Sequence, residues 1–276
     1  MSAKPEALPL HAGVRVLAEH PCGLVAVDKP EEVLSHPNGS EDNGRSVLNA
    51  NYSLEEEAYH VRDGKGGIRR VWLINRLDGP TSGVLLLATT EVAAVAARKA
   101  FATRAVAKGY LAVCVGRNRL PVLRGTWDDL LVTRRGGPGG ARTEPLLPGQ
   151  PPRGPATQAL THVRVGPKGE GAVDLVQLHL EPKTGRTHQL RVQCAMRGHP
   201  ILGDKTYGDF DANRALGAER GFRRLFLHAE SLELAPVVAG ERVRFAVRSP
   251  APAEFAAVLG QSPGSAGAKG LGTVRI

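Results

Sequence analysis

Apolar residues in this chain come in short runs broken by glycine, proline and polar turns, and that punctuation limits the fold more than any other feature. The runs at 24–27, 71–74, 83–88, 110–115, 160–165, 173–180, 225–234 and 243–247 have the length of strands and stop at turn residues. Helical spacing is confined to a few intervals. Residues 91–107 are alanine-rich, with apolar side chains three and four apart, and they open on Glu91, which suits the positive end of a helix dipole. Residues 187–196 follow a Thr184-Gly185 turn and stop at Gly198 and Pro200, ordinary C-terminal punctuation. Segments 46–59 and 253–259 also read as helical. Strands with helices between them predict an α+β (mixed α/β) chain.

The same pattern excludes several classes. The longest apolar run, 92–97, falls far short of the roughly 18 residues of a membrane span. Residues 1–9 have no apolar core and do not read as a signal peptide. Cys22, Cys114 and Cys194 are odd in number and far apart, which argues against a disulfide framework and against a CxxC metal site. A hydrophobic fraction of 42% with 23% charged residues excludes wholesale disorder. The expectation is a soluble protein of a reducing compartment, the cytoplasm, with no membrane partner. Residues 1–12 read as a flexible lead and 260–276 as a flexible tail, while 133–155, crowded with Gly, Pro and Arg, reads as an exposed loop.

Lys and Arg number 36 against 27 Asp and Glu, a formal charge of +9. Much of the excess lies in one stretch, where Arg98, Lys99, Arg104, Lys108, Arg117, Arg119, Arg124, Arg134, Arg135 and Arg142 are opposed only by Asp128 and Asp129. Two readings fit: a surface that tracks the phosphates of a polyanion, or a solvated helix face followed by a basic loop. Aromatic residues make up only 4% of the chain, so no strand offers the ring platform on which single-stranded RNA is usually read. Tyr110, inside the basic stretch, is the candidate ring.

Three segments carry dense polar chemistry between apolar flanks. In the first, Asn75-Arg76-Leu77-Asp78 meets a Gly79-Pro80 turn before Thr81-Ser82-Gly83 and an apolar strand. An ordinary turn would use Asp78 to bind backbone amides. Ser82 lacks the flanking glycines of a nucleophile elbow. In the second, Lys183, Arg186, His188, Gln189 and Arg191 crowd a helix start, where backbone amides already favour anions. The spacing of His188 and His199 matches no familiar metal-ligand pattern. The third is Leu227-His228-Ala229, where a hydrogen-bonded core histidine is the default reading.

Together these segments resemble the RluA-type pseudouridine synthases, whose catalytic motif His-Arg-Leu-Asp-x-x-Thr-Ser-Gly-Leu-Leu-Leu-x-Ala is matched here from Asn75 to Ala88. The resemblance continues in Asp28-Lys29-Pro30 through His36-Pro37, in Lys108-Gly109-Tyr110-Leu111-Ala112 and in Ala159-Leu160-Thr161. It extends through Thr184-Gly185-Arg186-Thr187-His188-Gln189-Leu190-Arg191, Gly203-Asp204-Lys205-Thr206-Tyr207-Gly208 and Leu227-His228-Ala229. Two departures stand out: Asn75 where a histidine is usual, and Glu31-Glu32 where a small residue and glycine are common.

The resemblance implies the pseudouridine synthase fold, a central mixed but largely antiparallel sheet flanked by helices and loops. It implies one catalytic domain over 13–259, with no S4-type RNA-binding domain in the lead, working as a monomer. It also implies isomerisation of uridines in ribosomal or transfer RNA. Substrate and product hold the same atoms, so no cofactor and no metal are expected. Carried over residue by residue, Asp78 is the catalytic carboxylate, Tyr110 packs on the flipped uracil and Arg191 pairs with Asp78. Arg76, Lys108, Lys183, Arg186, His188, Gln189, Leu190, Leu227 and His228 are expected substrate contacts. The rival readings are a catalytically silent RNA-binding or RNA-chaperone protein on the same fold, and a glycoside or nucleoside hydrolase. The hydrolase would need a second carboxylate at a defined separation.

Overall fold

The computed structural model describes residues 7–261 except 43, 65, 117–123, 135–141, 147–148, 150, 152–153 and 170–172. The first half of the chain supplies β1 (Arg15–Glu19), β2 (Leu24–Lys29), β3 (Asn51–Ser53), β4 (Ala58–Arg62), β5 (Ile68–Leu73), β6 (Ser82–Ala88) and helix α1 (Glu91–Ala102). The second supplies β7 (Val106–Val115), β8 (Gly125–Arg134), β9 (Arg142–Pro145), β10 (Ala156–Gly169), β11 (Leu175–Pro182) and helices α2 (Gln189–Met196) and α3 (Phe210–Arg220). It ends with β12 (Leu227–Leu234), β13 (Val237–Val238), β14 (Glu241–Arg242), β15 (Phe245–Arg248) and α4 (Ala253–Val258).

Thirteen of these strands form one sheet. Its main path is β3-β4-β5-β6-β12-β7-β11-β10-β8-β9, with β2 also on β6, β1 on β2 and β15 on β12. The pairings are antiparallel except that of β6 with β12, which is parallel and holds only His228 opposite Ser82 and Ala229 opposite Gly83. The two halves of the chain meet at this short seam. Gly83 is required there: its φ is +112°, and a Cβ would stand 2.2 Å from the carbonyl oxygen of Ala229.

β6 is buried along its whole length. Val84, Leu86 and Ala88 join the cluster under α1, while Leu85 and Leu87 join the cluster on the opposite face with Tyr59, Val61 and Leu77. A strand covered on both faces favours apolar residues at successive positions, which is why its 84–88 part reads as an unbroken run. Thr90 caps α1 by accepting the Ala93 N–H, and Ala93, Ala94, Ala97 and Ala100 form its buried stripe.

Several expectations require correction. The helix expected over 91–107 ends at Ala102, because Arg104 takes a positive φ of 59° and Val106 pairs with Leu234 of β12. The helix expected over 46–59 is a hairpin of β3 and β4. Tyr59 and Val61 alternate into the core, and the Leu54–Glu57 stretch with its good helix formers is left to the connecting turn. Within the loop expected over 133–155, Arg142–Pro145 pairs with β8 as β9. In the lead, Leu8 and Leu10 pack on the core and Leu10 bridges to Leu48; residues 1–6, like 262–276 of the tail, lie outside the described residues. Helix α3 was not anticipated, although Asp209 caps its start and Gly221, at φ 73°, ends it. Among the described residues no helix is long and apolar enough to cross a membrane.

Candidate active site

A cleft of about 860 Å³ opens beside the seam between the two halves, lined by the 34–38 and 75–81 loops on one side and by β7, the end of β11 and the start of α2 on the other. Its size falls within the range of small-molecule sites.

The first wall is built around the turn that carries Asp78. Where β5 stops pairing with β6, the Asn75 side-chain carbonyl takes over and accepts the Leu86 N–H at 2.8 Å. The departure from histidine at this position therefore has a structural role of its own. Ser35 Oγ donates to the Leu77 carbonyl at 2.8 Å and accepts the Leu77 N–H at 2.9 Å. The carbonyl of Ser35 in turn accepts the Tyr59 hydroxyl at 2.6 Å. Lys29, fully buried, donates from Nζ to the carbonyls of Pro30 at 2.9 Å, Val33 at 2.6 Å and Gly79 at 2.9 Å. Burial lowers its pKa to about 7, against the pull of the Asp78, Glu32 and Glu31 carboxylates. A Thr81 N–H to Asp78 C=O bond of 2.9 Å closes the turn. The turn is held from both flanks, and the Asp78 side chain reaches the cleft with 30% of its surface exposed.

The second wall is built from charge. Arg191, buried in the first turn of α2, donates from Nε and Nη2 to the two oxygens of Asp204, each at 2.8 Å, and from Nη1 to Asp78 Oδ2 at 3.2 Å. Asp204 is 1% exposed and also accepts the Thr206 and Tyr207 N–H groups at 2.8 and 3.0 Å. Burial alone would favour the neutral form of each partner. The mutual hydrogen bonds outweigh it, holding Arg191 above its ordinary value and Asp204 below the usual carboxylate range. The bidentate pair takes up most of the guanidinium, and Asp78 shares only its third nitrogen. Two carboxylates against one cation leave net negative charge, and Asp78 is the member that faces the cleft. Asp204 and Tyr207 belong to a stretch noted in the sequence, yet nothing local to it marked them as partners of Arg191.

The other expected contacts divide. Arg76 is exposed at the rim and makes no ion pair among the described residues. Tyr110 lines the cleft from β7 and packs on the Tyr59 and Leu77 cluster and on the cluster that holds Leu111, Leu180 and Leu190, and burial with the Asp78 charge keeps its hydroxyl protonated well above the ordinary range. Lys108 donates to the Thr184 carbonyl at 3.0 Å; burial, then the charge of Lys183, brings its pKa down to about 8. Arg186 lines the cleft and anchors Nε on the Gln158 carbonyl at 3.0 Å. Leu190 and Leu227 are buried apolar lining.

Three residues stand differently from expectation. Gln189 borders the cleft, but its oxygen accepts from Thr184 Oγ1 and the Arg186 N–H, and its nitrogen donates to Leu160 O and Thr161 Oγ1. With both acceptor and both donor capacities used, it clamps the 184–186 turn. His228 is buried away from the cleft, with Nδ1 on Ser82 Oγ at 2.9 Å and Nε2 on the Ser249 carbonyl at 3.0 Å, and burial lowers its pKa. Lys183 lies outside the cleft lining and pairs with Glu181 at 3.5 Å.

Among the described residues, part of the basic stretch is spent on internal contacts. Arg98 donates to the carbonyls of Glu56, Glu57 and Leu73, and Arg134 and Arg142 both meet Glu144. Lys99, Arg104 and Arg124 are exposed, while Arg117, Arg119 and Arg135 lie outside the described residues. Among the described residues no group of three or more His, Cys, Asp or Glu is placed to hold a metal ion.

The family model described as RNA pseudouridylate synthase matches residues 23–196. The chain is similar to ribosomal large subunit pseudouridine synthase D of Haemophilus influenzae, 30% identical over 242 residues that cover 86% of this chain and 67% of that one. It is also similar to tRNA pseudouridine synthase C of Yersinia pestis, 34% identical over 228 residues and 82% of each chain. Among solved structures, human RNA pseudouridylate synthase domain containing 1 superposes with a TM-score of 0.60 at 24% identity, covering 93% of this chain and 90% of the other. That likeness concerns the fold.

Proposed function

Because the chain belongs to the RNA pseudouridylate synthase family, we propose that it converts uridines in structured ribosomal or transfer RNA to pseudouridine, with Asp78 as the catalytic carboxylate. The observation that carries this reading is the Asp78–Arg191–Asp204 arrangement. It sets a partly exposed carboxylate against a guanidinium whose charge is already matched by a buried second carboxylate. Arg191 gives Asp78 a hydrogen-bonding cation through one nitrogen, while Asp204 already matches that cation's charge.

A base stacked inside RNA cannot reach a carboxylate within a cleft, so the target nucleotide must leave its stack, at a cost of a few kcal/mol. Arg76, exposed at the rim and unpaired among the described residues, can occupy the vacated space. Arg186 at the same cleft and the exposed Lys99, Arg104 and Arg124 offer phosphate contacts that offset the flipping cost. Leu190 and Leu227 exclude water around the flipped uracil, and the Tyr110 ring packs on it. The N-glycosidic bond then breaks, the uracil turns within the cleft and a C–C bond forms, with every atom retained. The same reading has a monomer acting in the cytoplasm.

Purified protein incubated with unmodified ribosomal and transfer RNA transcripts, followed by digestion to nucleosides, tests this directly. Pseudouridine is expected, without free uracil. Tight binding with no conversion would replace the reading with a silent RNA-binding protein, and release of free uracil with a hydrolase.

A further inference from the structure

His188 is the one residue of the cleft whose backbone is unfavourable. It precedes α2 with φ 54° and makes no side-chain capping bond, a conformation costly for a residue with a Cβ. Its ring is tied on one side to Tyr207, whose hydroxyl lies 3.0 Å from Nδ1. The same hydroxyl accepts the Thr143 N–H of β9 at 2.9 Å. A phenol has one proton to give, and the His188 nitrogen is the acceptor at hand. Nδ1 is then the acceptor, so the neutral imidazole carries its proton on Nε2. Burial favours the neutral ring, against the pull of Asp78.

Nε2 stands 3.8 Å from Asp78 Oδ2, longer than a hydrogen bond, and that oxygen already takes Arg191 Nη1 at 3.2 Å. Among the described residues no donor reaches Oδ1. Catalytic hydrogen bonds are commonly long in a free enzyme and tighten when substrate is bound. We propose that His188 and Tyr207 form a positioning pair that, with Arg191, holds Oδ2 of Asp78 and so presents Oδ1 to the flipped nucleotide. The inference rests on the role of Asp78 proposed above. It also explains why β9 is docked on the site: Thr143 supplies the N–H that orients the tyrosine hydroxyl, which in turn selects the histidine tautomer.

Tyr207 has a purely structural use as well, since its ring lies 5.2 Å from the Arg191 guanidinium and packs on the Leu131, Ala159 and Val192 cluster. Tyr207→Phe separates the two uses by keeping the ring and removing the hydroxyl. Single-turnover pseudouridine formation at saturating RNA should fall about tenfold with RNA affinity close to wild type, while the Thr143 N–H, left without its acceptor, lowers the melting temperature modestly. Nitrogen NMR of wild-type His188 should show a neutral ring protonated at Nε2, and in Tyr207→Phe a shift toward the other tautomer. His188→Gln places an amide donor near the Nε2 position and should retain more activity than His188→Asn, even though asparagine tolerates the left-handed backbone better. An unchanged single-turnover rate in Tyr207→Phe, or a wild-type ring protonated at Nδ1, overturns the positioning pair. Wild-type protein that makes no pseudouridine would break the functional reading instead, and the tautomer measurement decides the pair in either case.

Discussion

The Asp78 wall and the Arg191 wall face each other across one cleft, yet they are held by different interactions. Around Asp78 the clamps grip backbone: Ser35 on Leu77, Asn75 on Leu86 and Lys29 on Gly79. Around Arg191 the central clamp joins charged side chains, Asp204 bidentate on the guanidinium, and Gln189 ties the 184–186 turn to Leu160 and Thr161 of β10. The first wall decides where the carboxylate sits, and the second decides what charge surrounds it. Damage to the first should therefore act through geometry, and damage to the second through uncompensated charge.

The largest contrast should come from Arg191→Met. It strands the buried Asp204 carboxylate without its cation, at a cost of about 3–5 kcal/mol, and it leaves Asp78 unpaired, so stability and activity should fall together. Thermal unfolding with wild-type stability would show that the wall is not held by charge. pH separates the walls further. The folded pKa of Asp204 lies below its ordinary 3.8, so its contribution is complete above that value and is lost as pH falls through the lower folded one. Lys29 acts in the same direction over a higher window: from its folded value of about 7 up to 10.5 the unfolded chain binds more protons, and wild type should gain stability over Lys29→Met as pH rises through that window. Parallel pH-stability curves for wild type and Lys29→Met would contradict this. A smaller effect is expected from Ser35→Ala, which removes both bonds to Leu77 and should cost about 1–2 kcal/mol, lowering the single-turnover rate while RNA affinity holds. The smallest belongs to Tyr110→Phe. The hydroxyl has no hydrogen-bond partner among the described residues, so stability should be unchanged and any loss of rate would report a proton-handling role for that hydroxyl.

The same contrast explains what the sequence made legible. The Asp78 wall is local: apolar runs on either side of a Gly-Pro turn announce two buried strands and a polar hinge, and only the clamps from residues 29 and 35 are remote. The Arg191 wall is not local. The basic helix start could be read, but the partner of Arg191 lies thirteen residues on, beyond the end of α2, and nothing around Asp204 marks it as buried. The family resemblance implies substrate contacts at Gln189 and His228, although the local reading of His228 is a hydrogen-bonded core histidine. Burial turned Gln189 into a clamp and His228 into a bridge between Ser82 and Ser249. The stretch 46–59 misled for a different reason. Its glutamates favour helix, but alternation of Tyr59 and Val61 into the core decides for strand. The basic stretch keeps two readings in the sequence, since proximity along the chain does not say which arginines, such as Arg98 and Arg134, are spent on carbonyls and carboxylates.

On the proposed reading the Asp78 carboxylate, positioned by one wall and paired with Arg191 of the other, performs the isomerisation. Asp78→Asn keeps the size of the side chain and removes its charge. In a single-turnover assay on an RNA that wild type modifies, this variant should bind the RNA with nearly unchanged affinity and form no pseudouridine, a loss on the order of 10³-fold or more. Pseudouridine formed by Asp78→Asn at a rate near that of wild type would contradict the account.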